Sequence, residues 1–281
     1  MSAHTQRITT ARQHIDFTVS AASDVGRVRR VNEDSFLAAA PIFAVADGMG
    51  GHSRGEEASH AVVTALSQVE QGRATSPAEV AAALARANTD IEAGHDGGSV
   101  AGSTVAGLAL VTLSPGADDG HWMAFNIGDS RVYRWTGNHL SQVTVDHSLV
   151  QELIDAGRLS LAEAEHHPER NVITRAVGVG HDADPDAWIL PIAERELFLL
   201  CSDGLIREVP MNEIEEILRG DPALAAEELI ARALAAGARD NVTALVVEAV
   251  LSTPRADEPG YPDGRTLGVL EETVPRGRGT R

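Results

Sequence analysis

The chain has 281 residues, 43% hydrophobic but only 4% aromatic, so it carries a sizeable core built mainly from Ala, Val, Leu and Ile and is not a disordered chain. Acidic residues outnumber basic ones 41 to 23, for a net charge of −18, and every basic residue is arginine. The absence of lysine excludes a P-loop lysine, a Schiff base and a Ser–Lys dyad, and the charge disfavours nucleic acid and anionic lipid as partners.

Residues 1–15 are polar and aperiodic and are expected to form a flexible leader, without the apolar segment of a secretory signal. Strand-like runs follow at 17–20, 35–39 and 42–46, then two Ala-rich amphipathic helices at about 55–70 and 76–91. Ser76-Pro77-Ala78-Glu79 has the form of a helix start, with a capping serine, a proline at the first helical position and an acid in the first turn. Strand signals recur at 104–112, 122–126, 131–135 and 140–145, the last two joined by Thr136-Gly137-Asn138 as a hairpin connection. A helical segment is expected at 148–156, and Ser160 with Glu163 forms a second capping box. A wholly apolar strand at 197–201, helices at 212–218 and 223–235 and a strand at 242–250 complete the pattern.

From residue 252 on, prolines, glycines and balanced charges predict a disordered tail, 252–281. The expected folded domain is 16–251. Hairpin spacings and sequential helix pairs favour an α+β fold, a four-layer α/β/β/α sandwich of two antiparallel sheets flanked by helix pairs. No apolar run is long enough to span a membrane, and the lone Cys201 allows no internal disulfide. A cytoplasmic location is expected.

Several acidic residues share one design, a carboxylate at the end of an apolar strand or beside a glycine turn. Asp47 leads into Gly48-Met49-Gly50-Gly51, Asp129 sits in Gly128-Asp129-Ser130, Asp203 in Ser202-Asp203-Gly204, Asp240 precedes Asn241, and Asn32-Glu33-Asp34 opens a strand. Each alone reads as an ordinary Asp-Gly turn. If they converge, their mutual repulsion calls for a divalent cation with hard oxygen ligands, Mg²⁺ or Mn²⁺ rather than structural Zn²⁺. Arg29, four residues before Glu33, suits bidentate binding of a phosphate, although Arg27, Arg29 and Arg30 also fit a solvated turn.

Arg29-x-x-Asn32-Glu33-Asp34, Ala46-Asp47-Gly48-Met49-Gly50-Gly51-His52, Gly102-Ser103-Thr104, Asn126-Ile127-Gly128-Asp129-Ser130-Arg131, Asp146-His147-Ser148, Ser202-Asp203-Gly204 and Arg239-Asp240-Asn241-Val242 occur in this order. Together, over about residues 17–250, they resemble the metal-dependent serine/threonine protein phosphatases of type 2C in their bacterial form. The resemblance implies that Asp47 bridges two Mn²⁺ or Mg²⁺ ions. It implies Asp203 and Asp240 as ligands of one ion, and Glu33 and the Gly48 carbonyl as ligands or water anchors of the other. Asp129 with Asp203 would form a third, weaker site, Arg29 would clamp the phosphate, and Asp34 would hold metal-bound water. The ions would ready a water for in-line attack on phosphoserine or phosphothreonine, with no protein nucleophile.

His52 is the candidate general acid, weighed equally against a solvent-facing loop histidine. Residues 146–176 resemble the family's variable flap, with His147, His166 and His167 taken as structural or flap-ordering. The family often has an acidic residue four positions after the Asp of Ser-Asp-Gly; here that position is Arg207. The expected partners are phosphorylated Ser/Thr proteins, including an opposing kinase, acted on by a monomer. The competing readings are a catalytically weak phosphoprotein-binding module and a hydrolase of small phosphate esters.

Overall fold

The computed structural model describes residues 3–9, 14–50, 54–95, 100–114, 120–136, 139–164, 166–180 and 184–252. The wholly apolar runs of the sequence are strands buried on both faces. β4 (Ile42–Met49) sends Ile42, Ala44 and Ala46 to one side and Phe43 and Val45 to the other, and all five are fully buried. A strand covered on both faces needs no polar residue at alternate positions, so the period of two vanishes from its sequence. β11 (Arg195–Cys201) and β12 (Val242–Ser252) behave alike, with Phe198, Leu200, Leu245 and Val247 on one side and Leu199, Cys201, Ala244 and Val246 on the other.

Two antiparallel sheets result. In the first, β1 (His4–Thr9), β2 (His14–Asp24), β12, β11, β8 (Arg131–Thr136) and β9 (His139–Gln142) lie side by side in that order. In the second the order is β10 (Asp186–Pro191), β7 (Gly120–Ile127), β6 (Val105–Thr112), β4 and β3 (Asp34–Ala39), and the two-residue β5 (Gly102–Ser103) pairs with the end of β4. Phe17, Phe43, Leu108, Phe198 and Leu245 fill the space between the sheets around Trp122, whose ring meets Phe17 and Phe198 edge-on at 6.0 and 5.3 Å. The Trp122 Nε1–H donates at 2.6 Å to the buried Glu196, and Arg134 pairs with the other oxygen of that carboxylate. Burying each large apolar side chain contributes about 1.5–3 kcal/mol.

Helices close both outer faces. α1 (Arg54–Ser67) and α2 (Pro77–Ala93) lay Val62, Leu66, Leu84 and Ile91 on Ala44 and Phe125. The start of α2 is the capping box expected: Ser76 Oγ accepts from the Glu79 N–H at 3.3 Å, and Glu79 Oε2 accepts from the Ser76 N–H at 2.9 Å. On the other side α5 (Asp203–Glu208), α6 (Met211–Leu218) and α7 (Pro222–Ala236) pack Leu205, Ile214 and Leu229 on Leu199 and Val246. The expected α+β four-layer sandwich is the fold, with α5 added to one helix pair. α3 (Leu149–Asp155) and α4 (Leu161–Ala164) fall in the segment expected as a flap and carry no buried residue. Among the described residues no helix is long and apolar enough to cross a membrane.

Some expectations are corrected. Residues 4–9, expected as part of a flexible leader, are β1, paired with β2 from His4↔Val19 to Thr9↔His14. Only Ile8 of that edge strand is buried, so its polar sequence hid it. β10 is likewise a short edge strand, ending at Pro191, and gave no signal. Gly137 and Asn138 lie outside the described residues, although Thr136 pairs with His139 as a hairpin requires. His52 and residues 253–281 also lie outside them, while Ser252 still belongs to β12.

Candidate metal centre

The acidic residues singled out above come together because the strands that carry them end at one rim of the sandwich. Asp34 opens β3 and Asp47 lies near the end of β4, and the two are direct partners in the antiparallel ladder. Asp129 follows β7, Asp203 follows β11 as the first residue of α5, and Asp240 immediately precedes β12. The two sheets are tied there by buried polar bonds. Asp34 Oδ2 accepts from Ser202 Oγ at 2.8 Å and from Thr243 Oγ1 at 2.7 Å, and Ser202 Oγ in turn accepts from the Thr243 N–H. Asn241 is a second bracket: its Oδ1 accepts from the Glu33 N–H at 2.9 Å, and its Nδ2 donates to the carbonyls of Val25 and Val31 at 3.0 Å each. Thr104 is a third, accepting from the Asp47 N–H at 3.0 Å and sharing a hydrogen bond with Ser130, next to Asp129.

Two glycines allow the close approach. A Cβ on Gly48 would overlap the carbonyl oxygens of Gly55 and Glu33, so only glycine lets β4 pass between the Glu33 strand entry and α1. Gly26, at φ +79°, lies where a Cβ would overlap the carbonyl oxygen of Asp240, which brings the arginine loop against the start of β12.

The electrostatics are those of crowded, under-solvated acids. Burial is the largest cause in each case, with neighbouring carboxylates adding to it. It pushes Asp34 and Asp203 up to about 7, Asp47 well above the ordinary carboxylate range, and Asp129 and Glu33 upward. Glu33 Oε1, Asp34 Oδ1, Asp129 Oδ1 and Asp203 Oδ1 are buried oxygens with no hydrogen-bond donor. Four donorless carboxylate oxygens beside Asp47 and Asp240 are hard-oxygen donors of the kind that divalent cations take, and the residues present fit such ions. Among the described residues, no three of these side chains close around one point in their present positions. The guanidinium of Arg207 stands among them instead, in contact with Asp203 and 3.9 and 3.7 Å from Asp129 and Asp240.

Arg29, expected as the phosphate clamp, is paired with an acid of the rim. Its Nε and Nη2 grip Asp240 at 2.8 and 2.9 Å, while half of the side chain stays in solvent; Arg27 and Arg30 point to solvent as a plain turn would have them. A cleft of about 1020 Å³ runs from Asp129, Asp203 and Asp240 past Arg207 to Ile154 and Leu161 of the flap. His147 fastens the flap to the centre: its N–H donates to the Gly128 carbonyl at 2.8 Å, its Nδ1 accepts from the Gly128 N–H at 3.0 Å, and its Nε2 meets Asp186 at 3.1 Å. The structural role expected for His147 therefore has a concrete form. Cys201 is fully buried and its thiol is pushed up to about 12, which leaves it inert as a nucleophile near neutral pH.

The family model for protein phosphatase 2C matches residues 27–244. This chain belongs to the protein phosphatase 2C family. It is 34% identical over 244 residues to the serine/threonine phosphatase stp of Listeria monocytogenes serotype 4b, covering 84% of this chain and 97% of that protein. The crystal structure of the serine/threonine phosphatase PstP/Ppp of Mycobacterium tuberculosis is 36% identical with a TM-score of 0.73, covering 82% of this chain and 97% of that one. The catalytic domain of PstP in complex with two manganese ions is 35% identical with a TM-score of 0.73, covering 84% of this chain and 99% of that one.

The phosphatase 2C motifs thus lie along one rim: Asp34 faces Asp47 across the ladder, and Arg207 lies against Asp203 and within 3.9 Å of Asp129 and Asp240, on which Arg29 also sits. The sequence reading missed the roles of Asn241, Ser202, Thr243 and Thr104. Asn241 and Ser202 sat inside quoted motifs, where their types alone suggested turns. Thr243 looked like any strand threonine.

Proposed function

We propose that this chain hydrolyses phosphoserine and phosphothreonine in proteins, using two divalent cations, Mn²⁺ or Mg²⁺, held by the carboxylate rim. The observation that carries this is the set of four buried, donorless carboxylate oxygens at that rim. Asp47, Asp203, Asp240, Glu33 and the Gly48 carbonyl would hold the ions, which supply charge stabilisation and an activated water. Asp34, fixed by Ser202 and Thr243, has one oxygen left to receive a proton or orient that water. Arg29 binds the phosphoryl oxygens once it releases Asp240, because a guanidinium offers two parallel N–H donors to a phosphate. The cleft beside Arg207 and the flap gives the rest of the substrate room to lie.

His52 remains the candidate general acid. The catalytic domain is taken to run from β1 through Ser252, wider at its start than the 16–251 expected from sequence. The substrates would include the kinase that the enzyme opposes, and the enzyme would act as a cytoplasmic monomer. Assay of the purified chain on phosphothreonine peptides tests this. Phosphate release with Mn²⁺ that EDTA abolishes is expected; Mn²⁺ binding without release would instead favour a phosphoprotein-binding module.

A further inference from the structure

Six carboxylates make up the rim: Glu33, Asp34, Asp47, Asp129, Asp203 and Asp240. Two guanidiniums face them, Arg29 on Asp240 and Arg207 on Asp203. With all eight groups ionised the rim is short of four positive charges, which two divalent cations cancel. The nearby Asp146 does not change the count, because Arg131 neutralises it through a 2.7 Å ion pair. An acidic residue at position 207 would turn the shortfall of four into six, the charge of three divalent cations. One side chain therefore sets how many ions the rim can hold near neutrality.

The geometry agrees with the count. Arg207 lies one helical turn after Asp203 on α5, so its side chain folds back along the helix onto that carboxylate. From there Nη2 is 3.9 Å from Asp129 Oδ2 and Nη1 is 3.7 Å from Asp240 Oδ2. The guanidinium thus lies against the Asp129–Asp203 edge on the side of the two Oδ2 atoms, while Asp129 Oδ1 and Asp203 Oδ1 are both buried without a donor. Its side chain is only about a third exposed, so the charge is felt at less than the full dielectric of water.

We propose that Arg207 is a resident cation of this centre, which fixes its capacity at two divalent ions and bars a third from the Asp129–Asp203 edge. The proposal rests on the two-cation reading above and assigns position 207 as the residue that decides stoichiometry.

The test is Mn²⁺ titration of the metal-stripped full chain by calorimetry, with bound metal counted by elemental analysis, for wild type, Arg207→Gln and Arg207→Asp. Wild type is expected to bind two ions. Arg207→Asp should bind three, and Arg207→Gln, which keeps a polar side chain and loses the charge, should bind Mn²⁺ about tenfold more tightly or more. Without metal, both variants should melt below wild type near neutral pH. Three ions in wild type, or two ions at unchanged affinity in both variants, would overturn the proposal and leave the two-cation reading standing. No ions in any of the three proteins would remove that reading and this proposal together.

Discussion

Asp34 and Asp47 stand directly opposite each other across the β3–β4 ladder. Like charges in that position destabilise a sheet, so the pair persists only because something else at the rim gains from it. Asp34 is buried and held by two hydroxyls, while Asp47 is placed by Thr104. The sandwich thus spends folding stability to hold carboxylates together in readiness for cations.

That cost predicts how stability follows pH. Asp34 and Asp203 hold their protons up to about 7 in the folded chain, against 3.8 in an unperturbed aspartate. The folded state therefore binds more protons than the unfolded state across this window, and stability falls as pH rises through it. The metal-free chain should melt several degrees higher at about pH 5.5 than at about pH 8. Saturating Mn²⁺ should raise the melting temperature more at the higher pH, where ions take the place of lost protons. Equal melting temperatures at both pH values in EDTA would count against crowded carboxylates.

Replacing Asp47 by Asn separates chemistry from folding. The amide keeps the shape but removes a charge from the crowd. Phosphopeptide turnover should fall by about 10³-fold or more, while the metal-free chain melts at or above the wild-type temperature. Turnover within a few-fold of wild type would take Asp47 out of the mechanism.

Asn241→Ala removes three hydrogen bonds that pin Glu33 and the Val25–Val31 loop. A loss of about 3 kcal/mol in urea unfolding is expected, together with weaker Mn²⁺ binding, since Glu33 loses its anchor. Unchanged Mn²⁺ affinity would show that the bracket serves folding alone.

Gly48→Ala puts a methyl group onto the carbonyl oxygens of Gly55 and Glu33. Both are backbone atoms and cannot rotate away. The variant should lose about 2–3 kcal/mol of stability, and calorimetry should find its Mn²⁺ binding weakened as β4 is pushed from the rim. Wild-type stability and binding would mean that β4 and α1 can part at no cost.

Much of the helical layer was readable because its signals are local. The Ser76–Glu79 box and the Ser160–Glu163 box lie within one turn of chain, and both form. Edge strands β1 and β10 were hidden, because one buried face and a few polar residues leave too little pattern. α5 was hidden too, because Ser202-Asp203-Gly204 is equally a turn, and the Ser202 side chain bonds Asp34 and Thr243 rather than capping the helix.

By itself, the sequence determined the family, through seven short motifs in an order that resembles the type 2C phosphatases and implies their metal chemistry, and it determined the layered fold through runs of apolar residues. Only the tertiary structure decided which oxygens lack donors, that Asn241 and Thr243 hold the rim together, and that Arg207 points into it. Those facts depend on contacts between residues up to 216 positions apart, as between Val25 and Asn241, and no local pattern encodes a distance of that kind.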